Sequence, residues 1–157
     1  MITKIYTSGY EQTPVSDFIA TMKAAGIEKI IDVRQLPISR RKGFSKNVLR
    51  NLLAESDIEY IHLKALGTPK EGRIAAKHGD HAKFHEIFAN QMRSPEAKAD
   101  LETAIDLVQK QVCCLLCYER KPEDCHRTVV VNAIAKRTKQ EIVPIDILTE
   151  SKQAFLL

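Results

Sequence analysis

Short apolar runs alternate with helix-patterned stretches along nearly the whole chain, and few folds accommodate that alternation. Ile2-Thr3-Lys4-Ile5-Tyr6, taken at period two, reads as a first strand. Thr13-Pro14 follows, an N-cap residue with proline at the first helical position. The helix it opens places Val15, Phe18, Ile19 and Met22 on one face and stops near Gly26. Lys29 to Val33 is a short β-branched run, a buried strand, followed by a loop from Arg34 to Phe44 marked by Pro37 and Gly43. Ser45 reads as the cap of a second helix with Val48, Leu49, Leu52 and Leu53 inward. Ile58 to Leu63 forms a third strand, and Gly67 through Gly79 a loop. Two helices are expected at Asp80 to Met92 and Pro95 to Lys110, the second capped by Ser94. Val112 to Cys117 is a fourth strand, Asp124 caps a helix running to about Lys136, and Glu141 to Ile147 is a last strand.

Strands separated by helices pair in parallel through right-handed crossovers. The expected fold class is therefore α/β: a single open, mostly parallel sheet of about five strands with helices on both faces, forming one domain over residues 1–157. Hydrophobic residues at 44% and charged residues at 28% are ordinary for a soluble globular protein. No apolar run approaches the roughly 18 residues of a membrane span, and the N-terminus reads as a strand and not as a signal peptide. Cys113, Cys114, Cys117 and Cys125 fall within 13 residues, whereas a disulfide framework spreads its cysteines along the chain. A reduced, cytoplasmic protein without membrane attachment is the expectation.

The formal charge of +4 is concentrated in one place. Residues 34 to 50 hold Arg34, Arg40, Arg41, Lys42, Lys46 and Arg50 and no acid, which leaves 18 basic against 20 acidic residues elsewhere. Guanidinium forks match phosphate oxygens, so this segment suits a phosphate-bearing small molecule or a nucleic-acid backbone, with Phe44 beside it to stack on a base. The alternative is a solvated basic loop.

In open α/β sheets ligands bind beyond the carboxyl ends of the strands. The polar residues of this chain fall there, after strands one to four. After the first, Thr7-Ser8-Gly9-Tyr10 is either a plain tight turn or a place where Ser8 donates to a ligand. After the second, Asp32 and Arg34 share one side of the strand, and a buried Asp requires a partner. That pair suits both a loop brace and an anion site. His62 stands near the end of the third strand, alternating with Tyr60, and Arg73 lies in the loop beyond it.

The segment after the fourth strand is the densest. Asp124 as N-cap places Cys125, His126 and Arg127 in a first helical turn, where free N–H groups and the helix dipole favour an anion and lower a thiol pKa. Cys125 is a candidate nucleophile, Glu119 and His126 candidate acid or base groups, and Arg127 an anion clamp alongside Arg34 and Arg40. Cys114-x-x-Cys117 lies inside a strand, where residues three apart face opposite ways, so neither a redox pair nor a zinc knuckle fits. A Cys-x5-Arg loop would need Arg at 123 or 131, which are Glu123 and Val131. No metal and no cofactor is expected.

Taken in order, Thr7-Ser8-Gly9-Tyr10, Ile31-Asp32-Val33-Arg34, Pro37-Ile38-Ser39-Arg40, Phe44-Ser45-Lys46, Leu66-Gly67-Thr68-Pro69 and Leu116-Cys117-Tyr118-Glu119 to Cys125-His126-Arg127 resemble the bacterial and archaeal family called domain of unknown function 488. The resemblance covers nearly the whole chain. It implies a small α/β domain with a shared polar site, and it implies no reaction. The family usually carries Gly-His in the first loop, where this chain has Gly9-Tyr10. A lesser similarity is to rhodanese-like domains, which share an Ile-Asp-Val-Arg type of strand and a nucleophilic cysteine ending a central strand, the position of Cys117.

Three functions stand as expectations. The first is binding of an anionic, phosphate-containing ligand (nucleotide or nucleic acid) at the Asp/Arg/Glu/Cys/His strand-end site, with catalysis left open. The second is a non-catalytic nucleic-acid-binding module using loop 34–50. The third is rhodanese-like sulfur or phosphoryl transfer by Cys117 or Cys125, and beside these stands a structural domain whose Asp32–Arg and Glu119–Arg pairs only brace loops.

Overall fold

The computed structural model describes residues 1–120 and 126–147. Among them the elements run β1 (Lys4–Gly9), α1 (Val15–Ala24), β2 (Lys29–Asp32), α2 (Lys46–Ala54), β3 (Glu59–His62), α3 (Lys70–Lys77), α4 (His81–Met92), α5 (Pro95–Lys110), β4 (Cys113–Cys117), α6 (Arg127–Thr138) and β5 (Glu141–Pro144). The five strands form one parallel sheet in the order β3-β2-β4-β1-β5. No helix among the described residues is long and apolar enough to cross a membrane.

Alternation along the strands divides the core in two. Cys113, Leu115 and Cys117 of β4 pack with Val108 of α5, Phe88 of α4 and Val130 and Ile134 of α6. Cys114 and Leu116 face the other way, onto Phe18 and Met22 of α1 and Leu49 and Leu53 of α2. Both faces are thus covered by helices, which is why β4 reads as an unbroken apolar run. The opposite facing of Cys114 and Cys117 agrees with their spacing along a strand.

The strand order locates a crevice. β1 feeds α1 on one face while its neighbour β4 leads to α6 on the other, so adjacent connections leave in opposite directions at their carboxyl ends. The register aligns those ends: Gly9 lies opposite Cys117, and Asp32 lies between Leu116 and His62.

Several local expectations are corrected. Residues 70–77, read as loop, form α3, because Pro69 opens a helix there and does not end one. Gly72, which looked like a loop residue, is needed where a Cβ would come 2.7 Å from Thr68 Cγ2 and 3.3 Å from Ile87 Cγ2. Val48, expected inward, is 51% exposed, since Leu49 and Leu53 define the buried stripe of α2. Ser45 does not cap α2 with its side chain; its hydroxyl accepts from Ser39 N at 3.0 Å and thereby ties the basic loop. Pro14, not Thr13, holds the N-cap position of α1. Ser94 does cap α5, accepting from Ala97 N at 3.1 Å. The cap expected at Asp124 lies outside the described residues.

Candidate functional site

The end of β2 is built around one buried ion pair. Asp32 is fully buried and Arg34 is 5% exposed. Asp32 Oδ1 accepts from the Arg34 backbone N at 3.0 Å and from Arg34 Nε at 2.9 Å, while Oδ2 accepts from Nη2 at 2.7 Å. Tyr60 donates its hydroxyl to Oδ2 at 2.5 Å. Arg34 Nη1 donates to Tyr10 Oη at 3.1 Å and to the Phe44 carbonyl at 2.7 Å. Burial works against the Arg34 charge, but the Asp32 hydrogen bonds and negative charge outweigh it and raise the Arg34 pKa. Burial, then the Asp32 charge, raises the Tyr60 pKa, so Tyr60 stays a neutral donor. The pair acts as a brace: it fastens loop 34–44 to β1 and β3 through Phe44, Tyr10 and Tyr60.

Two histidines hold the adjoining backbone. His62 Nε2 donates to the Arg34 carbonyl at 2.6 Å, and His126 Nε2 donates to the Val33 carbonyl at 2.8 Å. A carbonyl only accepts, so both rings carry a proton on Nε2. Desolvation pushes the His126 pKa down to about 4, against the Val33 hydrogen bond that raises it, with the Arg127 charge lowering it further. His126 is therefore neutral at pH 7.

The β4–α6 connection closes over β1 by close approach of backbone. A Cβ on Gly9 would come 1.8 Å from the Glu119 carbonyl oxygen and 2.7 Å from Arg127 Nη1. Only glycine permits that closure. Arg127, 1% exposed, points its guanidinium back along this connection, donating to the Glu119 carbonyl and, at 3.0 Å, to the Arg120 carbonyl. Its Nη1 also lies 2.9 Å from Cys117 Sγ. Gly67 serves the same purpose at the β3 side, where a Cβ would come 2.1 Å from Gln35 N.

These braced loops enclose a cleft of about 1050 Å³ beyond the carboxyl ends of β1, β2 and β4. Its basic lining is Arg34, Arg40, Arg41, Lys42, Arg73 and Lys77; Glu119 is the one carboxylate among the described lining residues. Thr68 and His126 contribute buried polar groups, and Leu36, Ile38 and Tyr118 apolar ones. Arg73 Nη1 donates to Gln35 Oε1 and, at 2.9 Å, to the Thr68 carbonyl, which ties α3 to loop 34–44. The buried Thr68 Oγ1 has no hydrogen-bond partner among the described residues.

The sequence-derived candidates separate accordingly. Arg34, Arg40, Glu119 and His126 line one cleft. Ser8 does not line it, because its hydroxyl donates to the Ile145 carbonyl at 3.1 Å, tying β1 to the chain after β5. Asp32 is sealed beneath Arg34. Phe44 is fully buried and stacked on Tyr10 at 4.2 Å, with a 10° interplanar angle, so no face of it meets a base from solvent. Arg127 is spent on backbone carbonyls. Cys125 lies outside the described residues. Cys113 and Cys114 are free, with burial pushing the Cys113 thiol up to about 12, but Cys117 is disulfide-bonded, contrary to the expectation of a wholly reduced chain. At 1% exposure Cys117 offers no accessible nucleophile for the rhodanese-like reading. Sequence reasoning missed Lys77, Thr68 and Tyr118 as lining residues. Reading 70–77 as a helix would have placed Arg73 and Lys77 one turn apart on a single face.

A protein-family model described as a domain of unknown function, DUF488, matches residues 14–134, and the chain belongs to that family. No curated protein and no solved structure matches it.

Proposed function

We propose that this DUF488 member binds a phosphate-bearing anion in the strand-end cleft. One observation carries the reading: cations from two separate elements, Arg40, Arg41 and Lys42 of the loop and Arg73 and Lys77 of α3, meet across a cavity with a single carboxylate among its described lining residues. None of these five forms an ion pair among the described residues. Like charges gathered around a concave space repel one another, and a multivalent anion relieves that repulsion. The unpartnered Thr68 hydroxyl at the same wall supplies a donor for an anionic oxygen. Concavity favours a small ligand or an unpaired strand over the broad surface of a duplex. Acid–base work at this site would fall to Glu119, since burial holds the His126 pKa down to about 4, which makes the ring a weak base, and its Nε2 proton is committed to Val33.

The test is calorimetric titration with pyrophosphate and ribose 5-phosphate at low and moderate salt. The wild-type protein should bind both, with affinity falling as salt rises. Lys42→Glu and Lys77→Glu should each weaken binding about tenfold, because each replaces an attraction to the anion by a repulsion, and the loss should shrink as salt rises. Absence of binding by either probe, or binding unchanged in both variants, refutes the reading.

A further inference from the structure

The cleft is not uniformly charged. Leu36 is 50% exposed, Ile38 69% and Tyr118 47%, and all three line the cavity that holds the basic residues. Val48, Ile74 and Val129 are exposed to a similar degree elsewhere, but Leu36, Ile38 and Tyr118 share the wall of one cleft, and exposed apolar groups gathered in a concavity mark a contact surface. Inorganic phosphate or a sugar phosphate would use only the cations and leave these side chains in water. A flat, apolar ring system carrying phosphate would use both sets.

Tyr118 is held for that purpose. Its ring meets Tyr10 edge-on at 5.4 Å and 83°, and Tyr10 in turn stacks on Phe44. Phe44 packs edge-on against Phe18 of α1 at 5.4 Å. A chain of aromatic contacts therefore runs from the hydrophobic core to an exposed ring at the cleft, and a ligand stacking there orders little that is not already ordered. The Glu11 N–H donates to the Tyr118 carbonyl at 2.9 Å, which fixes the backbone as well.

We propose that the ligand is a nucleotide, its base lying against Tyr118 with Ile38 and Leu36 around it, and its phosphate among Arg40, Arg41, Lys42, Arg73 and Lys77. The proposal rests on the anion-binding reading above and specifies its substrate class. It also transfers the base-stacking role from Phe44, which is buried, to Tyr118. A free nucleotide and an unpaired nucleotide within a strand present the same chemistry.

The experiment compares AMP and UMP with ribose 5-phosphate and with a single-stranded oligouridylate, on wild-type protein and on Tyr118→Ala and Tyr118→Phe. AMP should bind about tenfold or more tightly than ribose 5-phosphate, the order of gain that stacking one base on an aromatic ring brings. Tyr118→Ala should remove that gain and leave ribose 5-phosphate affinity unchanged, while Tyr118→Phe keeps it. Tighter binding of the oligouridylate than of UMP identifies a strand as the source, and the reverse identifies a free nucleotide; either supports the proposal. Equal affinities for AMP and ribose 5-phosphate overturn the nucleotide assignment and leave anion binding standing. Failure of every phosphate probe overturns both. Equal losses for AMP and ribose 5-phosphate in Tyr118→Ala overturn the role given to Tyr118.

Discussion

Lowering the pH from 7 to 5 should destabilise this protein through His126, by an amount that the site geometry sets. The ring is buried beside Phe88, 5.4 Å away edge-on, and its Nε2 donates to the Val33 carbonyl. Its pKa stands at about 4 in the fold against an ordinary 6.5. The unfolded chain therefore takes up a proton below about pH 6.5, and the native state only below about pH 4. Stability from the neutral ring is present above 6.5 and is lost as the pH falls through that window. At 1.36 kcal/mol per pH unit of separation the whole effect is about 3 kcal/mol, and about 2 kcal/mol of it is lost between pH 7 and pH 5. His126→Gln keeps an N–H donor but cannot titrate, so other groups cancel in the comparison. Urea unfolding of both proteins at pH 7 and pH 5 should show the wild type losing about 2 kcal/mol more than the variant. Parallel losses would refute the argument, because they would mean that His126 is either solvated or already charged in the fold.

Other outcomes follow from the same geometry. Asp32→Asn should cost about 3–5 kcal/mol in chemical unfolding, because it leaves the buried Arg34 charge without its counter-ion, whereas Tyr60→Phe should cost about 1 kcal/mol; equal costs would show that the charge pair is not the brace. Gly9→Ala should destabilise by about 1–3 kcal/mol and weaken pyrophosphate binding, since its Cβ displaces the Glu119 carbonyl at the cleft wall. Wild-type affinity in this Ala variant would show that the β1–β4 closure does not shape the site. Phe44→Ala should cost about 3–5 kcal/mol and Phe44→Leu under about 2 kcal/mol, with ribose 5-phosphate affinity retained in the Leu variant. A stable Ala variant that loses nucleotide binding would instead return the stacking role to Phe44.

Much of the architecture is legible in the chain because its signals are local. Period-two and period-3.6 patterns depend only on neighbours in sequence, so among the described residues five strands and five of the six α-helices stand close to where those patterns place them. Parallel strands joined by helices all present their carboxyl ends to one edge, so residues following a strand gather there whichever strands are neighbours. That is why Arg34, Arg40, Glu119 and His126 were found together without knowledge of the strand order.

Tertiary structure decided what those residues do. Asp32 shares one side of the strand with Arg34, but only the packing of β2 beside β3 brings Tyr60 and His62 against the pair, and only loop closure brings Tyr10 and Phe44. Arg34 and Arg127 look alike in sequence to Arg40, yet their guanidinium groups are consumed by a carboxylate and by backbone carbonyls. The α/β class, the edge of the sheet that carries the polar residues and the concentration of positive charge in residues 34–50 all follow from the order of residues along the chain. The strand order β3-β2-β4-β1-β5 and the packing of α3 decided which cations brace loops, which face the cleft, and that Tyr118 rather than Phe44 is the exposed ring. Periodicity is a property of neighbouring residues, whereas burial of a given side chain depends on partners tens of residues away.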